Sequence, residues 1–190
     1  MSELLFNELP RPTFRWLRVN HTVSSLAGED TAVQSIAVEA NKDILSPLPV
    51  GTALLDGNYE GANKEAVQVL VEKAEGYAIN VPPKAKEVVG IRIDANARVA
   101  NRFQFIVGEG AELEVQFYVT GSGDALTNVS YLNEYDVKEA GKVVVKKVNL
   151  LPEHVQHIEH RYTKLEEKAD VEYINICLLY TSPSPRDGAT

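Results

Sequence analysis

"EGAELEV" at residues 109–115, "EAGKVVV" at 139–145 and "EKADVEY" at 167–173 share one design: an acid, a turn of small residues, then a strand rich in β-branched residues. Their starts lie 30 and 28 residues apart. Strand content at near-constant spacing suggests a repeating β architecture, a solenoid or β-helix in which each coil buries its face against the next. A sandwich with similar hairpin lengths gives nearly the same pattern, and period alone does not separate parallel from antiparallel pairing.

The alternation extends on both sides of these motifs. "YAINV" and "VVGIRI" flank Pro82-Pro83, while "RFQFIV" and "LEVQFYV" flank Gly108-Glu109-Gly110. In "LEVQFYV" and the Glu112 before it, Leu113, Val115, Phe117 and Val119 face one way, and Glu112, Glu114, Gln116 and Tyr118 face the other. Further strands are expected near 128–137, 142–151, 155–163 and 170–176. If the coils are parallel, the turns at Ala111, Gly141 and Ala169 recur once per repeat along one edge, with right-handed crossing. Val115, Val145 and Val171 are then core positions, and the last coil presents an open edge at Ile176.

Upstream the pattern changes. "NKEAVQVLVEKAEG" predicts a helix, with Asn63 as N-cap, Glu65 at the positive end of the dipole and Gly76 as the C′ residue. Val67, Leu70, Val71 and Ala74 form its apolar stripe. Residues 1–62 read as an irregular arm, with prolines at 10, 12, 47 and 49 and glycines at 51, 57 and 61.

A net charge of −8 argues against nucleic acid as a main partner, because phosphate binding needs clustered Lys and Arg. The densest basic stretch, Arg11, Arg15 and Arg18 with Phe14 and Trp16, reads as an amphipathic docking segment rather than a nucleic-acid stacking surface. A short helix after Pro12 would use Phe14, Leu17 and Val19 as anchors, and an arm packed over the main core is the favoured reading. No run approaches the ~18 apolar residues of a membrane span. The N-terminus lacks the basic and apolar regions of a signal peptide. A cytoplasmic location is therefore expected, in which the sequons at Asn20 and Asn128 carry no meaning.

The single cysteine, Cys177, opens a stretch of different composition, "CLLYTSPSPRDGAT" at 177–190. That stretch resembles the translation of a sequencing adapter and is set aside from the fold as an expected disordered tail. The natural chain is accordingly expected to continue beyond Ile176. The organisation read from sequence is an arm at 1–62, the start of a β core at 63–176 and the tail at 177–190.

Three histidines in "EHVQHIEHRY", His154, His157 and His160 beside Glu153 and Glu159, resemble metal-ligand material. On a strand, however, His154 and His160 share a face about 20 Å apart while His157 points away, so the three cannot share an ion. Val155 and Ile158 compete for the buried face, and the histidines are read as structural. "TGSGDALTN", with Gly121 and Gly123, lacks a P-loop lysine and a following helix, and reads as a turn. There is no nucleophile elbow, and no cysteine before 177 for thiolate catalysis. No catalytic or metal residue is nominated. The only hint of an aromatic row across coils, as a carbohydrate-active enzyme would need, is Tyr118, Tyr131 and Tyr135.

Two stretches resemble a known family. "EGYAINVPPKAKEVVGIRI" at 75–93 is similar to the G-x-x-I-x-V-P-K-(G/A) signature of the SufB/SufD family of iron–sulfur cluster assembly proteins. "ELPRPTFRWLRVN" is similar to the L-P-x-x-T-x-x-W-L-x-x-N opening of its shorter SufD-like members, and 105–176, from "FIVGEGAELEV" to "VEYINI", resembles the family core. An extra proline, Pro83, precedes the lysine, and Ala85 replaces the usual glycine, so the likeness is to an outlying member. The resemblance implies a right-handed parallel β-helix. It also implies a non-catalytic scaffold that acts with a SufC-type ATPase and a SufB/SufD-type paralogue and handles an iron–sulfur cluster in the full complex. The family's cluster-related and ATPase-docking positions lie beyond Ile176, so no functional residue is carried over. The alternatives are an enzyme on a β-solenoid, or a metal-binding β-barrel using the 154–160 histidines.

Overall fold

The computed structural model describes residues 3–6, 22–25, 36–55, 59, 64–95, 99–121, 127–152 and 155–177. In chain order these form β1 (Glu3–Phe6), β2 (Thr22–Ser25), β3 (Ile36–Glu39), β4 (Leu45–Leu48) and helix α1 (Lys64–Lys73). There follow β5 (Gly76–Val81), β6 (Lys86–Asp94), β7 (Val99–Val107), β8 (Glu112–Thr120), β9 (Thr127–Val137), β10 (Lys142–Leu150), β11 (Val155–Leu165) and β12 (Asp170–Cys177).

From β5 onward, successive strands alternate between two sheets. One sheet has the order β12-β10-β8-β6-β3 and the other β11-β9-β7-β5-β4. All neighbours among β5–β12 are parallel. Strands consecutive in sequence do not pair there, which excludes a sandwich built of hairpins. The chain is a parallel β-solenoid of about three turns. Lys86, Glu112, Lys142 and Asp170 stand in one register column. The spacing legible in the three motifs is therefore the rung length of the coil.

The corners explain why the chain turns where it does. Lys84, Gly110, Ala140 and Lys168 take left-handed φ values of 63°, 61°, 53° and 58°. The amides of Lys84, Gly110 and Ala140 each donate to a carbonyl of the next corner, Glu109, Glu139 and Glu167, at 2.9 Å. The small-residue turns at 111, 141 and 169 thus stack along one edge, as expected. A fourth copy at 82–85 begins the stack, disguised in the sequence by Pro82-Pro83 in place of the acid.

Between the sheets lies the main core. Leu113, Val115, Phe117 and Val119 of β8 all point inward and are buried, beside Ile91, Phe103, Phe105 and Tyr135. Phe103 meets Phe117 edge-on, their ring centres 5.6 Å apart, and Phe105 stacks on Tyr135 at 4.7 Å. Val145 is buried like Val115, whereas Val171 is only partly covered.

Two expectations are corrected upstream. The arm is not irregular throughout: β3 and β4 pair antiparallel with β6 and β5 and close the first coil's edge in each sheet. β1 and β2 also pair antiparallel. Gly76 is not a C′ residue in the left-handed region but the first residue of β5. A Cβ there would lie 2.0 Å from the Arg102 carbonyl oxygen, so glycine permits the close approach of β5 to β7.

Helix α1 forms as its periodicity predicts and buries Val67, Leu70 and, just past its end, Ala74 against Leu132 and Tyr59 on the outside of β9's sheet. The proposed N-cap Asn63, the aromatic-basic stretch around Phe14 and Trp16, and the tail from 178 on lie outside the described residues. Cys177 ends β12. Among the described residues no helix is long and apolar enough to cross a membrane.

Candidate functional site

The interior of the solenoid changes character along its axis. Register columns run Ile91–Phe117–Lys147 in one sheet, and Val99–Val129–His157, Asn101–Tyr131–Glu159 and Phe103–Asn133–Arg161 in the other. In three of these columns an apolar residue of the early coils gives way to a polar one in the late coils at the same inward position, while the fourth begins at the buried Asn101. Alternation alone places these side chains inward, because each lies an even number of residues from a buried neighbour on its own strand or stacks in register beneath one.

The polar layer is organised around Glu159. Its carboxylate accepts from the Lys147 ammonium, from Arg161 Nε at 2.6 Å and Nη2 at 2.9 Å, and from Asn133 Nδ2 at 2.9 Å. The Lys147 and Glu159 side chains are only 6% and 7% exposed. A buried carboxylate without such partners would be very costly. Burial favours the neutral acid, but the hydrogen bond from Arg161 and the charge of Lys147 outweigh it and hold Glu159 down to about 2. Arg161, raised by its hydrogen bond to Glu159, also lies over the Tyr173 ring, 4.7 Å from its centre.

His157 adjoins this layer. Its Nε2 lies 3.1 Å from the Tyr131 hydroxyl, and its Nδ1 lies 3.1 Å from Asn149 Nδ2. Asn149 Oδ1 in turn accepts from the Leu151 amide at 3.1 Å. Burial, then the positive charge of Lys147, depresses His157 to about 4. Burial pushes the Tyr131 and Tyr135 hydroxyls well above their ordinary value.

A second polar cluster sits on the outer face of the same sheet. Arg102, fully buried, donates from Nε to the Ala74 carbonyl at 3.0 Å and from Nη2 to that of Pro49 at 2.7 Å, and also reaches Thr52. Glu134 accepts from the Leu54 amide at 3.0 Å, from Gln104 Nε2 at 2.9 Å and from the Tyr59 hydroxyl. These bonds fasten 49–54, Tyr59 and the end of α1 to the solenoid wall. They satisfy backbone groups that a strapped loop would otherwise leave unpaired.

The sequence-derived candidates are thereby placed. His157 points into the interior, and His160 lies buried on the opposite, outer face, so these two cannot share an ion. His154 lies outside the described residues. Val155 and Ile158 do not share one buried face: Val155 packs on the interior core, and Ile158 is on the other side of the strand. The aromatic row is not a surface feature. Tyr131 and Tyr135 are fully buried inside, while Tyr118 stands outside on the other sheet. Asn128, with its sequon, is buried within β9, which closes it to modification in the folded chain. Gly121 directly follows β8, and the rest of the expected turn, with Gly123, lies outside the described residues. No group of three His, Cys, Asp or Glu is gathered among the described residues.

The sequence reading missed the Lys147–Glu159–Arg161 cluster and the Arg102–Glu134 clamp. The available signal was in "KVVVKKVNL", where Lys147 occupies the inward phase set by Val143 and Val145. Outside the solenoid, β3, β6, β8 and β10 line a groove of about 270 Å³ between Glu39, Arg92, Tyr118 and Lys146, floored at Gly90. No protein-family model, curated protein or solved structure matches the chain.

Proposed function

We propose that this chain belongs to a SufD-like scaffold for iron–sulfur cluster assembly, and that it performs no turnover itself. The observation that carries the reading is the signature at 75–93, which folds as β5, a corner at Lys84 and β6, the first coil of a parallel solenoid. A parallel β-helix is the architecture that the family resemblance implies. The Glu159 carboxylate is engaged by Lys147, Arg161 and Asn133, and two members of the aromatic row that would have favoured a carbohydrate-active enzyme, Tyr131 and Tyr135, are buried, with Tyr118 on the other sheet. In this reading the cluster is cargo of a complex with a SufC-type ATPase and a SufB/SufD-type paralogue in the cytoplasm.

The test is complementation. The complete gene is expressed in a strain lacking its own SufD-type protein, and cluster-dependent enzymes are assayed alongside co-purification of the ATPase. Restored activity with a captured ATPase supports the scaffold. A folded, abundant product that restores nothing and captures nothing overturns it.

A further inference from the structure

The hydrogen-bond chain at the β10–β11 connection fixes which nitrogen of His157 carries the proton. Asn149 Oδ1 is committed to the Leu151 amide, so its Nδ2 is the atom that faces the ring. Nδ2 only donates, and Nδ1 of His157 must therefore be the accepting lone pair. The proton sits on Nε2 and is donated to the Tyr131 oxygen. Tyr131 is the register partner of Glu159, whose carboxylate lies beside its hydroxyl.

We propose that this chain is an acid-operated latch, in which neutral His157 ties the start of the β10–β11 connection to the buried charge cluster and protonated His157 releases it. A proton taken from solvent can land only on Nδ1, since Nε2 already carries one. Two donors, Nδ1–H and Asn149 Nδ2–H, then point at each other. The amide of Asn149 must rotate or withdraw, and either movement takes Oδ1 away from the Leu151 amide. Leu151 packs on the main core, so its release loosens the connection where it leaves β10.

Among the described residues, the charged and titratable groups around the ring come from four strands. Lys147 on β10 and Arg161 on β11 oppose the added charge, Glu159 on β11 favours it, and Tyr131 on β9 accepts from the ring. On β12, Cys177 acts on Tyr131, and Tyr173 sits under Arg161. Burial of the ring disfavours the added charge first, and the two cations then outnumber the single carboxylate, so the neutral ring is the resting state. This agrees with the depressed value of about 4.

The test uses nuclear magnetic resonance on the full chain. The ring nitrogen signals report the tautomer, and amide exchange of Leu151, corrected for its intrinsic rate, reports the latch. The expected result is an Nε2–H tautomer near neutral pH. On acidification Leu151 exchange should rise about tenfold, the equivalent of one hydrogen bond, together with His157 protonation. The Val115 amide in the central strand should stay protected throughout.

Asn149→Asp supplies the second arm. A carboxylate can accept from both the Leu151 amide and a protonated Nδ1. It should raise the His157 titration by about one pH unit or more and keep Leu151 protected through it. An Nδ1–H tautomer at neutral pH overturns the proposal, as does Leu151 exchange indifferent to the His157 titration. Both readouts need only the natural sequence, so a variant that failed to fold would not leave the question open.

Discussion

Four residues at equivalent corners share one backbone conformation but not one side chain. Gly110 adopts φ 61° at little steric cost, whereas Ala140 at 53° carries a Cβ that the left-handed region disfavours. Ala140→Gly should stabilise the chain by about 0.5–1 kcal/mol, the relief of strain less the added freedom of the unfolded chain. Gly110→Ala should cost about 1 kcal/mol, since only the Lys84 Cγ comes within 4 Å of an added Cβ and the penalty is purely conformational. Thermal melts of the two variants, moving in opposite directions, check both.

The interior polar groups make a separate prediction about pH. His157 is held at about 4 against an ordinary 6.5, so the unfolded chain binds its proton first. Its contribution to stability is complete above about 6.5 and is lost as pH falls to about 4. Glu159 is held at about 2 against 4.5, and its contribution is lost in turn between those values. His157→Gln should flatten the upper part of the curve of melting temperature against pH and leave the lower part. An unchanged upper limb would contradict the burial of a neutral ring.

At the scale of elements, the strands differ in how much of their stability is already in place. Val115 on β8 is buried between β6 and β10, while Val171 on β12 is only partly covered. Val115→Ala should cost about 2 kcal/mol and Val171→Ala less than half of that, measured by denaturant unfolding. Helix α1 is short and holds its place by packing rather than propensity. Its attachment depends on Arg102, whose loss strips the carbonyls of Pro49 and Ala74 of their side-chain donor and leaves that of Thr52 to Gln104 alone. Arg102→Met should destabilise by about 3 kcal/mol, with early proteolysis in 49–54 as the signature. A uniform loss with no local cleavage would mean that the clamp is not what fastens this segment.

For the whole molecule, the stacking of coils leaves the far side of β11 and β12 without a partner strand among the described residues. Ile176 is 52% exposed and Ile174 40% exposed there. Such an edge templates association with another chain. Ile176→Lys should reduce light scattering at high protein concentration without lowering the melting temperature. Association unaltered by the change would place the sticky surface elsewhere.

The sequence by itself determined the period-two strands, the helix at 64–73, the corner spacing and the inward phase of Val115 and Phe117, because these depend only on neighbours along the chain. It even set Lys147, His157, Glu159 and Arg161 on particular phases of their strands. What it did not contain was which strand lies beside which. Only parallel stacking of β11 on β9 seats Glu159 next to Tyr131 and Asn133, and only the closing of one sheet over the other brings Lys147 to the same carboxylate. A local pattern fixes the face a side chain takes. The partner it meets across that face is a long-range contact, and the tertiary structure alone decides it.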